Sequence, residues 1–334
     1  MSRSADLPRP AANATAYITP LVALALGITW LNGGLTFLAF KVGVSSIPAI
    51  YLAAVRFTIA GVVLLPVAIW RMRKRERPDR RQFAAAALMG VVMLVGGQTL
   101  TLWGVGHLPA GVASVFGSAP PLFLALFAWV VIRHPLGARQ LAGIGIGLAG
   151  LALTAVSSSG ITGFEPIGAV AVLTSTAIWA GGSLLAHRMN LPADQTVSVT
   201  VQLLTAGVVL GASTLATGTA KSTNVGDLPA TVWAALGFLT FFSTLVGYGL
   251  FTWLNTTASS TLANTYNYVS PVIAICLAAS FLHEPLSWPK AGAAIVALLG
   301  VALMVTGSTA KAGSLDAPSQ CQHLGASLTQ THSP

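Results

Sequence analysis

The sequence predicts an all-α integral membrane protein with ten transmembrane helices, arranged as two five-helix repeats of opposite orientation. The chain has 334 residues, of which 54% are hydrophobic and only 7% are charged. A soluble domain carries about 25% charged residues, so lipid must be the solvent for most of this chain. Ten apolar stretches match the length of about 20 residues that a membrane-spanning helix needs, or come close to it; they are 17–39, 47–70, 83–103, 110–132, 140–156, 166–186, 195–216, 230–253, 261–282 and 290–307.

An internal repeat predicts how these helices are grouped. Residues 97–154 align with residues 247–304 at a constant offset of 150, which places Pro121 opposite Pro271. An odd number of helices in each half makes the second half start on the other side of the membrane, so the repeats are inverted. Such duplication is typical of secondary transporters, although it can also build a larger bundle that transports nothing. We expect four segments: an N-terminal cytoplasmic tail, two repeats and a disordered cytoplasmic tail, over residues 1–16, 17–156, 162–307 and 308–334.

The placement of the basic residues predicts topology. The net charge is +9, and seven Lys and Arg residues lie between Arg71 and Arg81. Cytoplasmic loops are enriched in Lys and Arg, so both termini are expected in the cytoplasm. A nucleic-acid site could also use this cluster, but a short cytoplasmic loop explains it better, and no nucleic-acid partner is expected. Two cysteines, Cys276 and Cys321, indicate no disulfide framework and no metal site, and no cofactor is expected.

Four runs of residues carry a resemblance to a known family. They are residues 54–57 (AVRF), 145–150 (GIGLAG), 265–272 (TYNYVSPV) and 282–286 (LHEPL). With these runs, residues 17–307 resemble the EamA-type branch of the drug/metabolite transporter superfamily. The resemblance implies a ten-helix carrier in a bacterial inner membrane. Members of this superfamily carry amino acids, metabolites, pigments or drugs, so the substrate stays open.

Two helices present the same polar face, which predicts a substrate path. Predicted helix four places Ser114, Ser118 and Pro121 at i, i+4 and i+7, and the repeat places Asn264, Tyr268 and Pro271 at the equivalent positions. Helical spacing stacks each trio on one face. An amide in hydrocarbon needs a partner, so these faces should point into the bundle. Interhelical hydrogen bonding and a packing kink are the alternative explanation.

Further candidates are polar or aromatic residues at mid-depth. An indole N–H at the midplane needs an acceptor, so Trp30 and Trp179 line either a cavity or the packed core. Gln98 and Tyr248 are equivalent in the repeat, and each could bind substrate or a neighbouring helix. The predicted substrate-binding set is completed by their neighbours and the residues around helix nine, namely Asn32, Tyr266 and Asn267.

Arg56 is the basic residue buried deepest in a predicted span, and it faces Gln202 in the aligned repeat. A charge at this depth is costly, so a role is expected. It could bind an anionic substrate or clasp two helices. We favour the clasp, because the resemblance implies that helix two lies outside the central cavity. Without a mid-depth carboxylate, coupling would fall to Glu284 or His107, or transport would be facilitative; Arg56, Gln202, Glu284 and the two prolines form the structural or coupling set.

Together these features predict a carrier that exports a small amphipathic or aromatic metabolite, such as an amino acid, by alternating access. Uptake or exchange stays open. An intramembrane lipid-processing enzyme would need an acid, His or metal cluster, which the sequence lacks, and a sensor or scaffold would need a soluble domain. We therefore expect no enzymatic activity, with a small molecule and the lipid bilayer as partners. The GxxxG of Gly143 and Gly147 favours close packing, so a monomer or a weak homodimer is expected.

Overall fold

The computed structural model describes residues 19–74, 77–132, 136–158, 163–186, 188–219, 223, 225–257, 265–284 and 287–315. All regular secondary structure in these ranges is helical. The first half holds six helices, of which α3 contains a π-helical segment; they are α1 Pro20–Val44, α2 Ala49–Lys74, α3 Arg80–Gly106, α4 Ala110–Gly117, α5 Pro120–Ile132 and α6 Ala138–Ser158.

The described residues of the second half form five helices and one short 3-10 turn, Val225–Asp227. Helix α9 covers residues 230–257 and has a π-helical middle, Phe238–Val246. The others are α7 Pro166–Ala186, α8 Gln195–Ala216, α10 Tyr266–Phe281 and α11 Trp288–Leu315. Helix α11 continues through residues 308–315, which the sequence analysis assigned to the tail.

Apart from the C-terminal end of α11, the described helices coincide with the predicted apolar stretches to within a few residues. Among the described residues, seven spans are long and apolar enough to cross a bilayer when α4 and α5 are counted together as one. Three more apolar helices are shorter, namely Ala230–Val246, Tyr266–Phe281 and Trp288–Leu303. The stretch predicted as helix four is two helices, α4 and α5, because Pro120 and Pro121 follow one another. Proline provides no backbone N–H and clashes with the preceding turn, so the helix ends at Gly117 and starts again at Pro120.

Polar residues set several helix starts at one end of the bundle. Thr19 accepts from Val22 N at 3.3 Å, and Asp79 forms a capping box with Gln82. Asp194 accepts from Thr196 N at 2.9 Å at the start of α8. Such caps satisfy N–H groups that have no partner inside the helix. The same end carries the arginines and lysine that close α2 and open α3, and we call it the basic end; those residues are Arg71, Arg73, Lys74, Arg80 and Arg81.

The two π-helical segments lie at nearly the same place in the two repeats. They are Gly90–Gln98 in α3 and Phe238–Val246 in α9, each nine residues long and 148 positions apart. Thr99 Oγ1 donates to Leu94 O at 3.1 Å, and Thr244 Oγ1 donates to Leu239 O at 2.8 Å. A π segment re-aims side chains along a helix and often marks a functional position.

The pair α2 and α8 cross with the symmetry of a duplicated unit. A Cβ added at Gly61 would lie 2.8 Å from Leu204 Cδ2, and one added at Gly207 would lie 3.0 Å from Thr58 N. Gly61 aligns with Gly207 in the repeat, and Thr58 aligns with Leu204. The two contacts are therefore equivalent: exchanging the two repeats converts one into the other, as a two-fold axis does.

The pair α6 and α11 repeat this pattern with tighter packing. A Cβ at Gly150 would collide with the backbone of Ala297, and a Cβ at Gly300 would collide with the backbone of Gly147. Both pairs are related by the offset of 150. Small residues let two helix backbones approach closely, which is how dispersion packing holds helices together in lipid. The internal duplication is thus visible in the packing as well as in the sequence.

An ion pair joins α2 to α8 at the basic end. Arg71 Nη1 lies 3.2 Å from Asp194 Oδ2, and Asp194 is 8% exposed. Burial alone would raise the pKa of Asp194, but the hydrogen bond and charge of Arg71 and the N–H groups of Val197 and Thr196 together lower it. The lowered pKa means that the folded state favours the ionised carboxylate.

The glycine crossing gives a first prediction. Gly300→Ala forces α6 and α11 apart, since the added Cβ meets the Gly147 backbone. Overpacking of this kind costs about 1–3 kcal/mol, and the midpoint of thermal unfolding in detergent should fall. Gly292→Ala is the matched control in the same helix, because nothing lies within 4 Å of its added Cβ. If both variants unfold at the same temperature, the crossing does not hold the helices.

The Asp194 ion pair predicts a pH dependence. Because its folded pKa is depressed, its stabilisation is present above the unfolded pKa of about 3.9 and is lost as pH falls through the folded pKa. Wild type should therefore be more stable than Asp194→Asn at pH 7, and the gap should close below about pH 4. Thermal unfolding across this pH range measures the gap. Parallel curves for the two proteins would contradict the assignment.

Candidate functional site

A cavity of about 860 Å³ opens at the end of the bundle opposite the basic end, and we call this the cavity end. It lies between the C-terminal half of α1, the first turns of α9 and the end of α10. Its wall is largely apolar, with one amine and one carboxylate, and includes Leu35, Leu38, Ala39, Lys41, Val42, Ala234, Ala235, Phe238, Phe281 and Glu284. A cavity of this size can hold a molecule as large as a typical drug.

Lys41 closes the end of α3 from the cavity wall. Its ammonium donates to Val105 O at 3.3 Å, Gly106 O at 3.1 Å and Leu108 O at 2.7 Å. The last carbonyls of a helix have no partner inside the helix, and the negative end of the helix dipole attracts a cation. Lys41 therefore supplies both the donors and the charge that this helix end requires.

Glu284 performs the complementary task at the start of α4. Its Oε1 accepts from Ala110 N at 2.5 Å, and its Oε2 accepts from Gly111 N at 3.1 Å. Residue Pro109, which precedes the helix, offers no side-chain cap. A carboxylate that takes two N–H groups at a helix N-terminus is stabilised by charge-assisted hydrogen bonds and by the dipole.

A strained residue positions that carboxylate. His283 has φ of 53°, in the left-handed region, and Glu284 N donates to Ala278 O at 3.2 Å. A non-glycine residue adopts this conformation only when its surroundings hold it there. The turn directs Glu284 away from α10 and onto the corner between α3 and α4. Two residues distant in sequence thus hold this corner by opposite charges.

Three of the predicted site residues meet where α1 packs on α10. Trp30 Nε1 donates to Thr265 Oγ1 at 3.0 Å, and Ser270 Oγ donates to Trp30 O at 3.1 Å. The side chains of Tyr266 and Asn267 are hydrogen-bonded to each other. Trp30 has found the acceptor that an indole N–H in an apolar region requires.

A second polar contact joins α1 to the π segment of α9. Thr36 Oγ1 donates to Asn32 O at 2.7 Å and to Ser243 Oγ at 3.0 Å. The amide of Asn32 lies against Gly247, and its Oδ1 is buried without a donor among the described residues. An acceptor in this position can receive a donor from a bound ligand.

Arg56 bridges α2 to the same π segment. It is 3% exposed, and its Nε donates to Thr244 Oγ1 at 2.9 Å. Its guanidinium carbon lies 5.4 Å from the ring centre of Phe40 and 5.3 Å from that of Phe57. These contacts link three helices, as a structural clasp requires, while Nη1 has no acceptor in the described part of the chain.

The equivalent region of the first half has a different pattern. Trp179 lies against Gly97, next to Gln98, whose Oε1 is buried with no donor among the described residues. Thr101 Oγ1 and Ser175 Oγ, 2.7 Å apart, join α3 to α7. Gln98 and Asn32 therefore share one property, a buried amide oxygen that the described protein groups leave unsatisfied.

The remaining predicted residues have local partners. The hydroxyls of Ser114 and Ser118 donate to Gly111 O and Val115 O in their own helix, at 2.6 and 2.7 Å. Gln202 Nε2 donates to Ser198 Oγ at 3.2 Å, and Tyr268 packs against the core. Pro271 is buried inside α10. Asn264 and the side chain of Tyr248 lie outside the described residues.

The cavity wall differs from the predicted site. None of the predicted substrate-binding residues whose side chains are described lines the cavity, whereas Glu284, predicted as structural or coupling, does. Sequence reasoning did not single out Lys41. The signal was its place in the last turn of a long apolar helix, three residues before Val44, where the ammonium of a long side chain can reach neighbouring helix ends. No cluster suited to a metal ion exists among the described residues.

Comparison with known proteins identifies relatives over most of the chain. The model of the EamA-like transporter family matches twice, at residues 17–156 and 166–306. The uncharacterized inner membrane transporter YedA of Escherichia coli strain K12 is 33% identical over 285 residues, which cover 84% of this chain and 89% of that protein. A probable amino-acid metabolite efflux pump of the same strain is 24% identical over 301 residues, covering 86% and 94%. A solved crystal structure has the same fold, with a TM-score of 0.58 and 20% identity, covering 88% of this chain and 98% of the other.

The Glu284 cap gives a prediction with a matched control. Glu284→Gln removes the charge and one of the two acceptors that face Ala110 and Gly111, so a buried N–H loses its partner. Loss of a charged hydrogen bond should cost about 1.5–3 kcal/mol, seen as a lower unfolding midpoint in detergent. Glu165→Gln is the control, because the Glu165 side chain is 61% exposed and its Oε2 lies 4.0 Å from His107 Nε2, beyond hydrogen-bond distance. Equal effects of the two changes would show that Glu284 does not hold the corner.

Proposed function

The chain belongs to the EamA-like transporter family, and we propose that it is a secondary transporter that exports a small amphipathic or aromatic metabolite. The observation that carries this proposal is the cavity of about 860 Å³ at one end of a bundle whose helix pairs cross with two-fold equivalence. A duplicated carrier can exchange the packings of its two halves, which opens the binding site to each side in turn. The cavity then belongs to the conformation that is open at the cavity end.

The proposed topology has ten spans with both termini in the cytoplasm of a bacterial inner membrane. In this arrangement the basic end faces the cytoplasm, as cytoplasmic loops rich in Lys and Arg do. The cavity end then faces away from the cytoplasm, and an exported molecule leaves through it. Cysteine labelling in whole cells separates the alternatives: an impermeant reagent should reach position 45 and not position 81.

The cavity wall and the two buried amide oxygens of Asn32 and Gln98 support the proposed substrate class. The cavity offers apolar surface with one ammonium and one carboxylate, Lys41 and Glu284, which suits a molecule with an apolar body and a polar head. Below it, Asn32 and Gln98 hold buried amide oxygens that lack donors in the described chain. The name of the second Escherichia coli relative refers to amino-acid metabolites, which belong to this chemical class.

The predicted substrate-binding residues remain part of this proposal. Trp30, Trp179, Tyr266 and Asn267 lie on helices that surround the centre of the bundle, deeper than the cavity. We propose that they contact the substrate as it moves from the basic end toward the cavity. The hydroxyls of Ser114 and Ser118 are already hydrogen-bonded to backbone carbonyls three residues earlier. We propose that these two serines shape the backbone along the path and do not offer their hydroxyls to the substrate.

A flux assay tests the proposal. Purified protein in liposomes loaded with a mixture of amino acids and aromatic acids should release at least one of them faster than protein-free liposomes do. Ala234→Trp fills the cavity, since Ala234 lies in its wall, and should remove most of that release.

The matched control is a tryptophan on the outside of the bundle. Val208 is 71% exposed on α8, where it faces the surroundings, so Val208→Trp should leave release unchanged. Release that is equal in Ala234→Trp and Val208→Trp would contradict the assignment of the cavity. Loading the mixture outside instead of inside measures direction, and faster entry than exit would favour uptake.

A further inference from the structure

The break between α4 and α5 leaves two backbone carbonyls without hydrogen bonds. Gly117 O would accept from residue 120 or 121 in a helix, but both are prolines and have no N–H. Ser118 O would accept from Pro121 or Leu122, and Leu122 N donates to Ala119 O at 2.9 Å instead. No donor among the described residues reaches either carbonyl. Ser118 is 3% exposed and Gly117 is partly exposed, so the Ser118 end of this pair of acceptors is the one enclosed by protein.

Unpaired carbonyls at membrane depth call for a partner. A buried backbone acceptor without a donor costs free energy, and non-helical backbone at this depth is tolerated where it lines a cavity or binds a ligand. The equivalent stretch of the second half stays helical, because α10 contains Pro271 alone and continues through it. The break is therefore a feature of one half, and the duplication does not explain it.

The charges around α4 indicate which ligand would fit. Its N-terminal end is neutralised by the Glu284 carboxylate, which accepts from Ala110 and Gly111. Its C-terminal end carries the negative pole of the dipole on Gly117 and Ser118, and residues 110–132 contain no Lys, Arg or His to balance it. A cation with several N–H donors would satisfy both the charge and the two acceptors.

An aromatic ring and the depth of the cavity complete the site. The ring of Phe37 lies against Gly117, with Cε1 3.0 Å from the position that an added Cβ would take. An aromatic ring attracts a cation that lies over its face, within about 6 Å of its centre. Phe37 meets Gly117 with its ring edge, so Gly117 covers neither face of the ring. The eight residues of α4 span about 12 Å from the cavity end. Leu35 and Leu38 of the same helix line the cavity, whereas Phe37 is not in its wall.

We propose that the α4–α5 break binds the ammonium group of the transported molecule, through the carbonyls of Gly117 and Ser118 beside the ring of Phe37. This inference rests on the proposed function, and it narrows the cargo to molecules with a primary amine. A sodium ion is the other source of the same positive charge, and the test separates the two.

The test uses two probes that differ in the amine, L-phenylalanine and 3-phenylpropionate. Binding is measured on the full chain in detergent from the rise of the unfolding midpoint with probe concentration. Wild type should bind L-phenylalanine about tenfold or more tighter than 3-phenylpropionate, the ratio expected for a charged hydrogen bond. Pro121→Ala supplies an N–H to Gly117 O, so it should lose this preference while binding 3-phenylpropionate as before.

Matched control variants show whether the same substitutions alter probe binding when they are made away from the α4–α5 break. Pro66→Ala also restores an N–H inside a helix, on an exposed face of α2, and should keep the preference. Phe37→Leu should weaken L-phenylalanine binding severalfold even if Pro121→Ala does not fold, whereas Phe241→Leu, at a side chain 46% exposed, should not.

Three results would overturn the inference. One is equal binding of the two probes by wild type, and another is an unchanged preference in Pro121→Ala. The third is a rise of the unfolding midpoint when sodium chloride replaces choline chloride, lost in Pro121→Ala, which would assign the site to an inorganic cation. Flux in liposomes separates these results from the proposed function: amine-bearing and amine-free probes released at equal rates contradict this site alone, whereas release of no probe contradicts transport as well.

Discussion

Backbone N–H and C=O groups inside hydrocarbon have no water to pair with, and the structure is organised around the places where a helix cannot pair its own. The chain between α3 and α4 turns sharply, which leaves carbonyls at one side and N–H groups at the other. Lys41 supplies donors to the first set, and Glu284 supplies acceptors to the second. Each comes from a distant part of the sequence, so this corner forms only when α1 and the end of α10 are in place.

Two kinds of interaction hold the repeats together, and only one of them follows the symmetry of the duplication. The glycine crossings of α2 with α8 and of α6 with α11 obey the two-fold relation of the duplication. The polar links do not obey it, because Arg56 faces Gln202 in the alignment and Glu284 faces His134. Dispersion packing thus provides a symmetric frame, and charged or hydrogen-bonded side chains make its two ends different. A cavity at one end is the kind of asymmetry that such links permit.

Local patterns predicted much of the fold, and distant contacts explain the rest. Apolar length located most of the helices to within a few residues, and the offset of 150 relates the two close contacts of one crossing, Gly150 with Ala297 and Gly300 with Gly147. The π segments could not be read from the sequence, since Gly90–Gln98 and Phe238–Val246 have the composition of ordinary apolar helices. The break at Ser118 was readable from the two prolines, but the sequence analysis took residues 110–132 as one helix, with a packing kink only as an alternative explanation. The function of Lys41 depends on carbonyls more than 60 residues away, which no local pattern reports.

The corner and the cavity are mechanically one unit. Lys41 and Glu284 line the cavity and, at the same time, hold the ends of α3 and α4. Helix α1 also packs closely on α10, where Gly34 leaves room for Ile273. A change in the width of the cavity that moves α1 and α10 must therefore carry the corner with them, or break charge-assisted hydrogen bonds that have no substitute in lipid. The opposite wall begins with the first turns of α9 and ends at Phe238, where the π segment starts. The irregular backbone of α9 thus begins at the cavity, across from the wall that carries Lys41 and Glu284.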